Sequence, residues 1–285
     1  MGLKNDIQEL KMRSEKEYQD YKNKVGIMMK EYDDKSSQFN VLIGTINAER
    51  LGLRKEIGVL YDFLQLIGGS LKEQNRISVF DFMDELPAPN QVYTEISSLS
   101  EPEFRDEDFL RDGIFALADH VVNKKLYEQY IVAVETKSSD YDKDISDRTT
   151  QILYMKDAIE IAKIYRNIVV TVRDTISQKI LPELNLIEAF LYADAIREMI
   201  LDGEKPDNVE ICGISEYKGT KQDIHYQFVK NTFDFYKVST MFFTQTVLAD
   251  ILTDRVITEE EKSAFNNQIA EIKQQIVNIE NKKVM

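Results

Sequence analysis

YQDYKNKVGIMMKEYDDKSSQFNVLIGTINAERLGLRKEIGVLYDFLQLI, residues 18–67, is the stretch that decides how this chain folds. An apolar residue returns at every seventh position without a miss: Tyr18, Val25, Tyr32, Phe39, Ile46, Leu53, Leu60 and Ile67. A straight α-helix drifts out of phase with a period of seven, so a stripe kept in register this long predicts a helix that supercoils around another helix. At 1.5 Å per residue the segment is about 75 Å long. The companion positions three residues on are Tyr21, Met28, Lys35, Leu42, Glu49, Glu56 and Phe63, so one seam is complete and the other is interrupted. Leu3, Ile7 and Leu10 extend the stripe with a shift of phase.

The positions beside the seam change character along the helix. Before residue 40 they include Lys22, Lys24, Glu31, Ser36 and Gln38, and afterwards Ile43, Ile57, Val59, Leu64 and Leu66. A narrow stripe suits a two-helix contact and a broad one a bundle, which predicts an arm whose later half enters a multi-helix body. Gly26, Gly44, Gly52 and Gly58 avoid the seam but weaken helix continuity, and Gly68-Gly69 supplies a stop.

Proline maps the rest, since it is confined to helix starts and loops. Pro87 and Pro89 fall in a connector, and Ser100-Glu101-Pro102-Glu103 carries the signature of a helix start, with Ile114, Leu117, Val121, Val122, Leu126, Tyr130 and Val134 as the apolar stripe behind it. Ser138-Ser139-Asp140 can cap a further helix, whose stripe runs through Ile145, Ile152, Met155, Ile159, Ala162, Val169 and Ile176. Pro182 begins another helix, with Leu184, Ile187, Leu191, Ala195 and Met199 inward and Gly203 as its end. Residues 204–219 form a loop in which Val209 to Ile211 could pair as a short strand. Thr220 to Asp223 and Thr258 to Glu261 are capping-box patterns opening the last two helices. The first of these is rich in rings, from Phe228 to Phe243, and the second spaces Phe265, Ile269, Ile272, Ile276 and Ile279 by four and three, a second heptad seam.

The expected fold is therefore all-α: a long N-terminal coiled-coil helix, then an up-and-down helical bundle with a C-terminal heptad helix. The expected divisions are a coiled-coil arm over residues 1–75, an acidic Pro-containing connector over 76–100, a helical bundle over 101–257 and a C-terminal coiled-coil helix over 258–285.

Composition narrows the function. The 285 residues contain one Cys and two His, which excludes an internal disulfide framework and a multi-histidine or multi-thiolate metal centre. The net charge of −14 falls entirely beyond residue 75, and residues 81–112 hold ten carboxylates against Arg105 and Arg111. Such a patch repels phosphate backbones and anionic headgroups, so direct nucleic-acid binding is not expected. No stretch is long and apolar enough to span a bilayer, and Met1-Gly2 leads into neither a secretory signal nor a myristoylation motif, since position 6 is Asp6. A soluble, cytoplasmic protein is expected.

Chemistry-bearing patterns fall short one by one. Asp140, Asp142, Asp144 and Asp147 imitate a calcium loop, but the required Gly and Glu positions hold Ile145 and Gln151. Gly213 to Lys221 misses the spacing of a phosphate-binding loop. His120 and His225 lack the Glu three positions earlier that a di-iron bundle uses, with Leu117 and Gln222 there instead. Cys212 sits beside Glu210, an unfavourable setting for a thiolate, and reads as structural. No metal, cofactor or catalytic residue is expected.

The sequence thus predicts a non-catalytic interaction or scaffold protein that works by coiled-coil pairing with a protein partner, as an oligomer or a subunit of a larger assembly. The expected partner-binding residues are Tyr18, Val25, Tyr32 and Phe39 of the arm and Ile269, Ile272, Ile276 and Ile279 of the tail. Two alternatives are a helical module whose ring-rich helix encloses an apolar ligand or lipid, and an enzyme with a carboxylate metal site.

Overall fold

The computed structural model describes residues 2–69, 96, 121, 123–211, 213–244 and 257–281. Among these all regular structure is helical, as the periodicity predicts. Helix α1 spans Leu3–Gly69 and passes its internal glycines without a break. Helix α2 spans Lys124–Thr175, followed by a π-helical turn, Ile176–Ile180, and helix α3, Leu181–Leu201. A 3₁₀ turn at Ile214–Tyr217 precedes α4, Asp223–Thr244, and α5 spans Glu259–Asn281. The chain forms two compact units, Met1–Val41 with Ser98–Glu160 and Leu42–Ser97 with Ile161–Met285.

Every rung of the N-terminal ladder is buried, from Tyr18 to Ile67. The companion of each rung changes at Phe39. Before it the inward positions are Tyr21, Met28 and Lys35, three residues after a rung; after it the buried ones are Ile43, Arg50, Ile57 and Leu64, four residues after. Two successive steps of four, Lys35 to Phe39 to Ile43, insert four residues into the hydrophobic phase and locally unwind any supercoil. Leu42, Glu49, Glu56 and Phe63 stay half-buried beside the new companions, so the covered face does widen. Val59 and Leu66, expected inside that widened face, are instead exposed.

In the first unit α1 and α2 run parallel. Leu10 packs on Tyr130 and Val134, Tyr18 and Tyr21 meet Tyr141, and Glu31 pairs with Lys156 at 2.8 Å, so residue numbers rise together along both helices. Antiparallel neighbours need only a short loop, whereas parallel ones need a connection that returns along their length. The connection here spans residues 70–123, and two of its described points are Val121, packed on the Tyr130–Val134 cluster of the first unit, and Ile96, in the second. Ile96 exchanges both backbone hydrogen bonds with the Asn47 amide: its N–H donates to Oδ1 at 3.0 Å, and its carbonyl accepts from Nδ2 at 2.9 Å.

Two expected features of the second half are corrected. Ser138 to Asp140 lie inside α2 rather than capping a new helix, with Asp140 held by Lys137 one turn back at 3.6 Å. Pro182 opens α3 from its first turn, as expected, and the π-turn before it keeps the backbone helical up to that point. The Leu181 N–H reaches back five residues to the Ile176 carbonyl, and this wider turn carries the helix up to a residue that has no N–H to give. Val209 to Ile211 form no strand. The helix start expected at Ser100 to Glu103 lies outside the described residues.

Helix ends follow the sequence closely. Gly203, at φ +79°, closes α3: its N–H donates to Ile200 O at 3.1 Å and that of Glu204 to Met199 O at 2.9 Å, the paired bonds of a left-handed C-terminal cap. At the start of α5 the Glu261 N–H donates to the Thr258 hydroxyl oxygen at 3.2 Å, and the Thr258 N–H donates to the Glu261 carboxylate at 2.8 Å.

The second unit is a helical bundle. Tyr61 meets Tyr236 and Arg50 reaches Phe243, so α4 runs against α1; Phe242 meets Phe265 and Asn231 donates to Asn278 O, so α5 runs against α4. Lys179 pairs with Glu280 at the foot of α3 and Phe190 meets His225, which sets α3 against α4 as well. From α3 onward the helices alternate in direction, in the up-and-down order expected.

Candidate interaction surface

The eight residues expected to grip a partner are all buried within one copy of the chain. Tyr18 and Val25 join Tyr21 and Tyr141 in one cluster of the first unit, with Met29 and Ile145 against it. The helix opposite is α2. Tyr32 and Phe39 continue the same buried stripe. Ile269, Ile272, Ile276 and Ile279 line the inner face of α5, which packs on α4. A seam cannot report from its own spacing whether its partner lies in the same chain, and here each seam is covered without a second one.

Polar groups at these contacts serve the packing. The Tyr21 hydroxyl donates to Asp144 Oδ2 at 2.8 Å, and Arg148 Nε donates to the same oxygen at 2.6 Å. Arg148 is nearly fully buried, so Asp144 supplies its counter-charge. Lys156 holds the Glu31 carboxyl below its ordinary range by direct pairing at the helix edge.

Among the described residues of the second unit Arg50 is a buried cation, 3% exposed in the middle of the α1 stripe. Its Nη2 donates to Phe243 O of α4 at 3.3 Å, a hydrogen bond that carries the charge of the donor. Burial pushes the Tyr165 hydroxyl up to about 12, and the Arg50 charge opposes that rise. Arg50 lies four residues after a rung, as Ile43, Ile57 and Leu64 do, and an apolar pattern passes over it because it is charged. The neighbouring Glu49 pairs with Arg173 and lies 3.9 Å from Arg166.

His225 is 8% exposed, with its ring 5.2 Å from that of Phe190 and 6.0 Å from that of Tyr217. Its Nδ1 has no hydrogen-bond partner among the described residues. Desolvation pulls its pKa below the ordinary value, against a smaller opposing pull from Glu183. Tyr217 in turn donates to Asp194 Oδ2 at 2.7 Å. No cluster of side chains among the described residues, His225 included, could hold a metal ion. His120 and Cys212 lie outside the described residues.

The ring-rich helix α4 uses its rings as core. Phe242 and Phe243 meet edge to face at 5.1 Å and both contact Tyr165. The recess beside them, about 90 Å³ and lined by Val238, Met241, Phe242, Gln268 and Glu271, is well below the roughly 300 Å³ at which small-molecule pockets begin.

Helix α3 is different. Leu184, Ile187, Leu191 and Ala195 face inward as expected, yet the opposite face is also apolar. At 100° per residue Pro182, Leu186, Ala189, Ala193, Ile196 and Ile200 share one outward stripe, with Asn185 and Arg197 its polar members and Phe190 on its flank. Leu186 and Phe190 are each 43% exposed and Ile200 is 58% exposed. Charged residues occupy the flanks between these two apolar faces, and among the described residues only the Leu184–Ala195 face is covered. No helix among the described residues is long and apolar enough to cross a membrane.

No family model, no curated protein and no solved structure matches this chain.

Proposed function

We propose that this chain is a non-catalytic helical interaction protein of the cytoplasm and a subunit of a larger assembly. In this reading the two heptad seams make in-chain helix pairs, a coiled coil of α1 with α2 and a hairpin of α4 with α5, that form a scaffold. The contact to other molecules is made elsewhere. The observation that carries the reading is the outward face of α3, where apolar side chains are exposed on a helix whose other side is already packed. Contiguous apolar surface of this kind marks an interaction site in a folded protein. The position of the charged groups agrees, because the buried cations Arg50 and Arg148 are engaged in packing rather than gathered around a reaction centre.

The test is the mass of the protein at native expression, by native mass spectrometry after gentle chemical cross-linking. A stoichiometric species heavier than the 33.1 kDa chain, with cross-links from Lys179 or Lys205 at the two ends of α3, is the expected result. A lone chain at native concentration would overturn the reading.

A further inference from the structure

We propose that Tyr21 and Tyr141 form an oxidative cross-linking site, at which a one-electron oxidant such as a peroxidase-generated radical joins α1 to α2 through a dityrosine bond. The inference goes beyond the interaction reading and rests on the first unit alone. The chain has 14 Tyr and no Trp, so among its aromatic side chains an electron is lost most easily from a tyrosine.

A phenol gives up an electron readily when its proton has somewhere to go, because the oxidised phenol is a strong acid. The Tyr21 hydroxyl donates to Asp144 Oδ2 at 2.8 Å, so a carboxylate base already holds that proton. Arg148 Nε bonds the same oxygen at 2.6 Å and keeps it in place. Glu15, Glu17 and Asp140 put negative potential on Tyr141, which opposes phenolate formation and favours loss of an electron. Tyr217 also donates to a carboxylate, Asp194, at 2.7 Å, but its ring contact with His225 offers no second phenol.

Phenoxyl radicals couple face to face, since the unpaired electron of each lies in its π system. The Tyr21 and Tyr141 rings are stacked in that way, with centroids 4.3 Å apart and planes 19° from parallel, and burial keeps both from turning aside. By contrast Tyr18 meets Tyr141 at 6.2 Å, tilted by 49°, and Tyr61 meets Tyr236 at 6.1 Å, tilted by 37°.

Each phenol gives one electron to the oxidant and loses one proton, that of Tyr21 to Asp144 and that of Tyr141 to water at the edge of the two-helix contact. The two unpaired electrons then form a carbon–carbon bond between ring positions ortho to the oxygens. The hydrogens on those carbons leave as protons while both oxygens are reprotonated, and Asp144 regains its charge. The net change is loss of two hydrogen atoms from the chain and reduction of two equivalents of oxidant. The bond ties α1 to α2 in register and restricts the unfolded chain as a disulfide does.

The experiment is brief photo-oxidation of the dilute full chain by tris(bipyridyl)ruthenium and persulfate, then proteolysis and mass spectrometry of the monomer. The expected product is a peptide pair joined through Tyr21 and Tyr141, two hydrogen atoms lighter than its parts, with a higher urea midpoint for the cross-linked chain. Tyr21→Phe and Tyr141→Phe, which keep the stack, each abolish that pair, and Tyr18→Phe retains it. Oxidation of the chain in urea loses it. Cross-links of the folded chain spread over exposed tyrosines such as Tyr192 with none at this pair would overturn the inference. So would a joined pair that survives Tyr21→Phe, or an equal yield from the unfolded chain.

Discussion

Tyr21 stacks on Tyr141 with ring centroids 4.3 Å apart and planes 19° from parallel, while its hydroxyl bonds Asp144 one turn further along α2. One side chain therefore fixes both the spacing and the register of the parallel helix pair. Tyr21→Phe keeps the stack and loses a bond to a charged acceptor, a cost of about 1.5–3 kcal/mol. Asp144→Ala also leaves Arg148 without its carboxylate and should cost more, about 3 kcal/mol or above. Urea unfolding of the two variants tests the order; equal stabilities would refute it.

Because the seams are covered within the chain, charge placed in them should unfold helices rather than separate subunits. Val25→Asp puts a carboxylate among Tyr18, Tyr21 and Tyr141 and is expected to lower the helical signal and the melting temperature. Ile272→Ala in α5 should cost about 2–5 kcal/mol through lost burial and the space left behind. Calorimetry checks both.

Three buried tyrosines should ionise late, Tyr236 among them because burial raises its hydroxyl as well. Burial raises Tyr141 and Tyr165 from 10.0 to about 12, so the folded state holds their protons more tightly than the unfolded chain does. Their contribution is complete below pH 10 and is lost as pH climbs toward 12. For Tyr165, deep in the bundle, it is on the order of 2 kcal/mol. Tyr141, in a two-helix contact with water close by, contributes less. Ultraviolet titration of phenolate absorbance should show a late component that Tyr165→Phe diminishes. Arg50→Met removes a charge that favours the phenolate and should push that component later still.

His225 gives the opposite pH dependence. Its folded pKa lies below the unfolded value of 6.5, so the unfolded chain binds the proton first and stability falls as pH drops below about 6.5. Glu183 opposes the shift and the surrounding Phe190 and Tyr217 rings do not relieve it. His225→Leu should flatten the mildly acidic limb of the melting temperature profile; an unchanged limb would assign it to other groups.

The cap of α5 offers a local test. Thr258→Ala removes the acceptor for the Glu261 N–H and is expected to cost about 1 kcal/mol. Glu261→Gln keeps the reach with weaker bonding and should cost less. Amide exchange in the first turn of α5 separates these two variants.

The local features of this chain were legible because they depend on neighbours within a few residues. The ladder from Tyr18 to Ile67, the cap at Thr258 and Glu261, and the stop at Gly203 each state their own geometry. The pass through Pro182 was not legible, since a π-turn depends on whether packing on both sides of the proline rewards a continuous helix. Ser138 to Asp140 misled for a related reason. Cap-forming residues are tolerated in a helix interior when the flanking turns are held by tertiary contacts, here those of the buried Tyr130, Val134 and Tyr141.

From its order of residues alone, this chain was bound to be helical and to bury a seven-residue stripe at each end, because the period of apolar side chains sets which face of a helix must leave water. Which helix then covers each stripe is a question of distance across the fold. Tertiary structure decided that α2 lies parallel to α1 and that α5 folds back on α4, and among the described residues it left the outer side of α3 exposed. A periodic pattern specifies a complementary surface; it carries no label for the chain that supplies it.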